Sequence, residues 1–229
     1  MNIFEFDFWG LFNPKLAWES LPFVLTGLPM TLLVAIVGMS IGLILGLFFS
    51  LGRNSKRWYL QWPSRLYISF MRGTPILVFL FILYFGLPNV GIEFTAFTAA
   101  SLAFGLNSAA YIAEINRAAY NSIEEEQWEA AEALSLNYWQ TMRFVIFPQA
   151  TRIAIPSLAN VFLDIVKATS LAAVITVPEL FQKAQIVAGR EFDSMTLYIL
   201  VALVYWPICI LIEFIQHLLE KRFSKFLIK

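Results

Sequence analysis

The stretch Asn121-Ser-Ile-Glu-Glu-Glu-Gln-Trp-Glu-Ala-Ala-Glu-Ala-Leu-Ser135 is strongly polar and stands between long apolar segments of this 229-residue chain. Ser122 is followed three residues later by Glu125, which is the spacing of a capping box, and residues that favour helices continue to Leu134. The pattern predicts a short helix that begins here and is exposed to water.

A second helix start follows directly. Asn137 and Gln140 are again three residues apart, and Pro148 closes the region before the apolar pattern resumes. Because an ordered polar loop costs conformational entropy, we expect residues 121–148 to be a docking element. The alternative is a plain solvated loop.

Composition indicates a membrane protein. Hydrophobic residues make up 59% of the chain and charged residues 14%, and the mean hydropathy is +0.69. These values are typical of a polytopic membrane protein and not of a soluble domain. The formal net charge is zero, and we expect no nucleic-acid partner. The one cysteine, Cys209, offers neither a disulfide framework nor a metal site, and the N-terminus lacks the features of a removable signal peptide.

Apolar segments long enough to cross a bilayer, which takes roughly 20 residues, recur along the chain. We predict an all-α polytopic membrane protein, with an external interfacial segment at residues 1–20 and a single transmembrane domain at residues 21–229. The five predicted spans are residues 21–51, 67–87, 94–117, 152–175 and 195–219. Within the first span Gly38, Gly42 and Gly46 recur every four residues and predict close packing of a neighbouring helix.

The distribution of basic residues predicts the orientation in the membrane. Five spans place eleven of them on one side and three on the other, and the richer side is expected to be cytoplasmic. The eleven are Arg53, Lys56, Arg57, Arg65, Arg117, Arg143, Arg152, Lys221, Arg222, Lys225 and Lys229, and the three are Lys15, Lys183 and Arg190. We therefore expect a multi-pass protein of the plasma or inner membrane. Its N-terminus is expected outside, and the loop at 121–148 and the C-terminus are expected in the cytoplasm.

Several runs within and after this loop resemble one known family. Glu129-Ala-Ala131, Tyr138-Trp-Gln-Thr141 and Phe147-Pro-Gln-Ala150 are similar to the cytoplasmic signature loop in the membrane subunits of ATP-binding-cassette (ABC) importers for polar amino acids. The resemblance implies that the loop carries a coupling helix that fits a cleft of a separate ATPase. The residues expected to dock the ATPase are Gln127, Trp128, Glu129, Ala130, Ala131, Leu134 and Ser135.

Ser135 departs from the family pattern, which usually has Gly at this position. Gly adopts the left-handed backbone conformation after a helix at lower cost than Ser, so the departure leaves the form of the turn open. It does not change the role that the resemblance implies for the loop.

The resemblance runs from about Leu21 to the end of the chain and implies a set of partners. These are an ABC ATPase dimer, a second permease subunit that is identical or different, and an external solute-binding protein. The sequence contains no Gly-x-x-x-x-Gly-Lys-Ser/Thr motif, so we expect ATP to be bound by the partner ATPase and this chain to be a transport subunit without cofactor, metal or catalytic residues.

Arg72 falls within a predicted span, where a charge costs roughly 2.5 to 3.5 kcal/mol on insertion scales. It stands in Met71-Arg-Gly-Thr-Pro75, where Gly73 and Pro75 can interrupt a helix. Arg-Gly-Thr-Pro resembles a recurring motif of the family, which implies that Arg72 faces the translocation path. A guanidinium there could hold a substrate carboxylate through paired hydrogen bonds. The alternative is that Arg72 extends to the inner membrane interface.

Polar residues form a stripe on the fourth span. Ser157, Asn160, Asp164 and Lys167 recur at steps of three and four residues, which predicts one helix face. With Arg72 they form the predicted substrate site, in which Arg72 binds the carboxylate and Asp164 the ammonium group, while Ser157 and Asn160 orient the rest. Two alternatives stay open: Asp164 and Lys167 neutralise each other, or the stripe packs against a neighbouring subunit.

The nature of the substrate rests on weaker signals. Val177-Pro-Glu-Leu-Phe-Gln-Lys-Ala-Gln185 resembles the external segment of cystine-type members and favours L-cystine, whereas Ala168 stands where the family usually has Asp. The alternative function is an ion-coupled secondary amino-acid transporter with Asp164, Lys167 and Glu213 as titrating groups. A last expectation is an ion pair between Glu114 and Arg117 near the inner interface, with a contact between Glu114 and the substrate as the alternative.

Overall fold

The apolar segments form helices in a computed structural model, which describes residues 12–224 apart from the side chains of residues 219, 220 and 222–224. That part of the chain holds ten α-helices and no strand, which confirms the all-α fold class. They are α1 (Pro14–Leu25), α2 (Leu28–Asn54), α3 (Trp58–Gly73), α4 (Ile76–Phe81), α5 (Ala96–Asn121), α6 (Glu125–Ala133), α7 (Tyr138–Thr141), α8 (Phe147–Ala168), α9 (Leu180–Glu191) and α10 (Ser194–Ser224).

Short segments of other helix types extend several of these helices. α4 continues through a π turn at Ile82–Gly86 and a 3-10 turn at Leu87–Val90, a π turn at Met142–Ile146 joins α7 to α8, and α8 continues as a 3-10 helix at Thr169–Ile175. Within residues 12–224, four segments are long and apolar enough to cross a membrane: Leu28–Asn54, Ala96–Asn121, Tyr138–Ile175 and Ser194–Leu218. A fifth is present if the bent pair α3 and α4 counts as one span, which agrees with the prediction of about five.

The first predicted span, residues 21–51, is two helices and not one. α1 ends at Leu25 and α2 begins at Leu28, because Pro29 sets the first turn of α2 and Gly27 packs tightly against the start of α9. A Cβ atom on Gly27 would lie 2.5 Å from the carbonyl carbon of Glu179. Residues 1–11 of the predicted interfacial segment lie outside the described residues.

The second predicted span, residues 67–87, contains a sharp bend. α3 ends at Gly73, Thr74 is extended, and α4 begins after Pro75 at an angle of 101° to α3. Proline lacks an N–H group and forces the residue before it out of the helical conformation, so Pro75 accounts for the break.

α2 and α5 form the centre of the molecule. Gly38, Gly42 and Gly46 are buried against α5, as predicted from their spacing. A Cβ atom on Gly46 would lie 2.6 Å from Cγ2 of Ile112, which leaves no room for a methyl group. α3, α8 and α4 surround this pair, and α1, α9 and the first half of α10 form a second cluster beside it.

Candidate functional site

The predicted docking loop is folded, and one of its two predicted caps is present. Asn137 Oδ1 accepts from the backbone N–H of Gln140 at 3.0 Å, and Gln140 Oε1 accepts from the N–H of Asn137 at 2.9 Å, so this capping box is confirmed. The box predicted at Ser122 is wrong. Glu124 is the N-cap of α6, and the Ser122 hydroxyl donates to the carbonyl of Ala119 at 2.9 Å, because α5 runs on to Asn121.

Ser135, at the position where the family resemblance implies Gly, adopts the left-handed backbone conformation. Its φ is +56°, and the N–H groups of Ser135 and Leu136 donate to the carbonyls of Glu132 and Ala131 at 2.8 and 3.1 Å. These two bonds are those of a Schellman motif, which ends α6. Ser135 therefore makes a left-handed, helix-ending turn of the kind that Gly makes at lower cost.

The seven predicted docking residues divide into an exposed set and a supporting set. Leu134 is 73% exposed, and Glu129, Ala130 and Ser135 are exposed beside it. The other three, Gln127, Trp128 and Ala131, face the protein.

The supporting residues fix α6 to the span ends. Trp128 packs edge-on against Tyr120 with ring centroids 5.8 Å apart, and Gln127 Oε1 accepts from Nε2 of Gln149 at 2.9 Å. Ala131 is buried. The loop is thus joined to both α5 and α8.

Arg72 lines an open cavity of about 470 Å³ between α3, α5 and α8. Its guanidinium carbon lies 5.4 Å from the centroid of the Tyr111 ring, within the range of a cation–π contact. Ser157 and Glu114 line the same cavity. Two of the five predicted substrate residues therefore share one space.

Asp164 lines a neighbouring cavity of about 270 Å³, together with Asn107 and Ser108 of α5. Tyr111 and Val161 belong to the walls of both cavities. A cation, a carboxylate and several hydrogen-bonding groups thus lie along adjoining cavities, an arrangement that can bind a zwitterion.

Asn160 and Lys167 line neither of these two cavities. The Asn160 Oδ1 atom accepts from Nε2 of Gln216 on α10 at 3.1 Å, and Lys167 Nζ lies 2.9 Å from Oδ1 of Asp164. A helix turns by about 100° per residue, which places Asp164 about 20° from Ser157 but Asn160 and Lys167 about 60° and 80° away. The four residues thus keep to one face of α8, an arc of about 80°, but the face is shared: Ser157 and Asp164 line the cavities, whereas Asn160 and Lys167 turn towards α10.

The predicted ion pair and one further charged residue, Arg53, form a cluster at the edge of the larger cavity. Arg117 donates to Oε2 of Glu114 from Nη2 at 2.9 Å, which confirms the expected pair, and Nε of Arg53 lies 2.5 Å from Oε1 of Glu114. The contribution of Arg53 from the end of α2 was not predicted, since nothing in the local sequence connects α2 with α5.

Tyr111 and Asn107 were also missed as site residues. Asn107 donates from Nδ2 to the carbonyl of Met71 at 2.8 Å, which ties α5 to the end of α3 beside Arg72. Their signal in the sequence is the spacing of Asn107, Tyr111 and Glu114 at four and three residues, which is one face of α5.

Comparisons with known proteins agree on one class. The family model described as "Binding-protein-dependent transport system inner membrane component" matches residues 38–225. The probable amino-acid ABC transporter permease protein YckA of Bacillus subtilis (strain 168) is 61% identical over 216 residues, which are 94% of this chain and 96% of that protein. The L-cystine transport system permease protein TcyB of the same organism is 40% identical over 209 residues, 91% of this chain and 89% of that protein.

A solved structure has the same architecture. The crystal structure of an amino acid ABC transporter with histidines superposes with a TM-score of 0.83 at 34% identity, covering 88% of this chain and 94% of that one.

Proposed function

This chain belongs to the family of binding-protein-dependent transport system inner membrane components, and we propose that it carries a polar amino acid, with L-cystine as the first candidate, along the cavities between α3, α5 and α8. At the level of the class, it is an amino-acid ABC transporter permease, a multi-pass membrane subunit that works with a separate ATPase and a binding protein. The identity of the amino acid and the residues that bind it are the content of the proposal.

The observation that carries the proposal is the pair of adjoining cavities. A free amino acid has a carboxylate and an ammonium group, and Arg72 and Asp164 line the two cavities whose shared wall includes Tyr111. Arg72 binds the carboxylate through two parallel hydrogen bonds, and Asp164 binds the ammonium group. Ser157 supplies a further hydrogen bond in the larger cavity.

Lys167 has a different part in this proposal. It neutralises Asp164 when the site is empty and releases it when the substrate ammonium group takes its place. Asn160, which bonds to Gln216, is left out of the substrate site.

L-cystine is favoured by two observations. The segment at 177–185 resembles that of cystine-type members, and the relative TcyB, at 40% identity, is named for L-cystine transport. The name of the relative YckA specifies only an amino acid. Family membership favours an ATP-driven importer over the ion-coupled transporter that Asp164, Lys167 and Glu213 would otherwise allow.

Energy enters through the loop at 121–148 in this proposal. The exposed Leu134 and Glu129 contact the ATPase on the cytoplasmic side, and the Schellman turn at Ser135 fixes their position. The ATPase dimer binds the ATP, a second permease subunit completes the path, and the N-terminus lies outside.

The test is uptake into vesicles that contain this chain with its ATPase, its binding protein and enclosed ATP. Labelled L-cystine should accumulate, and a panel of unlabelled amino acids should identify the best competitor. Asp164→Asn should abolish uptake while the ATPase stays bound, and Asn160→Ala, which alters the same helix outside the cavities, should retain uptake. Normal uptake by Asp164→Asn rejects the proposed site, and uptake without ATP rejects the mechanism.

A further inference from the structure

A third cavity, of about 570 Å³, lies between α2, the end of α5 and the start of α8. It has only Ala119 in common with the cavity that holds Arg72 and no residue in common with the one that holds Asp164. The transport path proposed above makes no use of it.

One half of this cavity is aliphatic. Leu43, Leu47 and Leu51 follow one another on α2 at steps of four residues and form a stripe about 12 Å long at 1.5 Å per residue. Ala154 and Leu158 face them from α8. Leu43 and Leu47 remain 40% and 41% exposed, so the stripe is open to an apolar occupant.

The other half is polar. The side-chain amides of Asn54, Asn116 and Asn121 line it, and none of them is hydrogen-bonded within the described part of the chain. Lys56 and Arg57 follow Asn54 after one residue, are exposed, and form no ion pair with another described residue. Hydrogen-bond donors and two cations therefore stand at one end of an aliphatic cleft.

We propose that this cleft binds one phospholipid with an anionic headgroup. An acyl chain lies along the leucine stripe, and the phosphate accepts hydrogen bonds from the asparagine amides near Lys56 and Arg57. A water-soluble ligand would leave the leucines wet, and a pure hydrocarbon would leave the amides without partners. The polarity of the cleft changes along its length as that of a phospholipid does.

The occupant would touch the segment that carries the docking loop. Tyr138, Met142 and Phe147, which connect α6 to the span of α8, form part of the wall. Bound phospholipid is thus placed to support this segment from the membrane side.

Native mass spectrometry of the complete transporter, purified in mild detergent, tests the proposal. Leu47→Trp fills the apolar half, and Ile44→Trp is the matched control, since Ile44 lies on the same helix, is 60% exposed and does not line the cavity. The wild type and Ile44→Trp should each retain one phospholipid per permease chain, and Leu47→Trp should retain at least tenfold less. The readout needs no substrate, so failure of the transport proposal leaves it unchanged.

Adding back defined lipids tests the headgroup. Phosphatidylglycerol should rebind in preference to phosphatidylcholine, and replacing Lys56 and Arg57 by Gln should reduce that preference roughly fivefold for each charge removed. Equal binding of both lipids overturns the anionic assignment.

Two further results would overturn the site. One is equal lipid retention by the two tryptophan variants. The other is a loss of permease pairing in Leu47→Trp with lipid retention intact, which would mean that a second subunit covers the cleft. If Leu47→Trp yields no folded permease, Leu158→Trp closes the cleft from the opposite wall, and the same outcomes apply.

Discussion

Tyr205 donates a hydrogen bond from its phenol group to Oε2 of Glu179 across 2.9 Å, which ties α10 to the start of α9. Glu179 is fully buried and also accepts from the backbone N–H groups of Phe181 and Gln182 at 2.9 and 2.6 Å. Burial raises the pKa of the Glu179 carboxyl above its ordinary value of 4.5, and the three hydrogen bonds oppose this shift.

Stability should therefore fall as the pH rises through the raised pKa of Glu179. The folded state holds the proton more tightly than the unfolded chain, so the contribution is complete below pH 4.5 and is lost as the carboxyl ionises in the folded protein. Glu179→Gln should flatten this dependence in the melting temperature of the permease in detergent. Glu191→Gln, an exposed change on the same helix, should leave the slope as it is in the wild type, and an unchanged slope in Glu179→Gln would contradict the assignment.

Ser135→Gly should stabilise the docking loop. The left-handed conformation costs a residue with a Cβ atom roughly 1 to 2 kcal/mol of folding free energy, a cost that Gly does not have. The melting temperature should rise, whereas Ser135→Val, which adds a branched Cβ, should lower it. A lower melting temperature for Ser135→Gly would mean that contacts of the Ser135 hydroxyl group contribute more to stability than the left-handed backbone conformation costs.

Gly46→Ala should destabilise the contact between α2 and α5. The added Cβ would meet Ile112 at 2.6 Å, and overpacking of this kind costs about 1 to 3 kcal/mol. Gly189→Ala is the control, because its Cβ would meet no atom within 4 Å and Ala favours the helix by about 1 kcal/mol. Thermal unfolding should move in opposite directions for the two variants. Equal effects would remove the packing explanation.

Arg72→Lys should weaken transport without removing the charge. Lysine cannot form the paired hydrogen bonds of a guanidinium, and one hydrogen bond to a charged group is worth about 1.5 to 3 kcal/mol, which is roughly 10- to 100-fold in apparent affinity. Uptake measured over a range of substrate concentrations provides the test. Arg65→Lys, also on α3, is the control and should transport as the wild type does. Wild-type transport by Arg72→Lys would instead mean that Arg72 only extends to the membrane interface.

Leu134→Asp should separate the permease from its ATPase. A carboxylate placed in an apolar contact loses its water without gaining a partner, which costs more than about 1.4 kcal/mol, so association should weaken at least tenfold in co-purification. Phe192→Asp places the same charge at a residue that is 93% exposed at the end of α9, which lies outside under the proposed orientation. Equal ATPase recovery from both variants would argue against docking through Leu134.

The loop at 121–148 could be predicted in part, where its signals are local. The box formed by Asn137 and Gln140 needs only four residues and was predicted correctly. The box expected at Ser122 was wrong because α5 runs on to Asn121, and the form of the turn at Ser135 could not be decided from the residue type. The site in the membrane could be predicted only in part. The spacing of Asn160 and Asp164 gives their angle around α8, but which angle faces α5 and which faces α10 depends on how distant helices pack.

The break between α3 and α4 could be predicted in its position but not in its angle. Gly73 and Pro75 indicated an interruption, but its angle of 101° is set by the helices that pack on both sides. Arg53 could not be assigned to Glu114 at all, since the two residues are 61 positions apart and the sequence does not encode their pairing locally.

The absence of space between Gly46 and Ile112 also bears on movement. Two helices this close cannot slide past each other without a clash, so we expect α2 and α5 to move as one rigid body. A force applied at Leu134 would then reach the proposed transport cavities by tilting α8 relative to that rigid body. The hinge for this tilt would be the π turn at Met142–Ile146, where the regular helix is already interrupted.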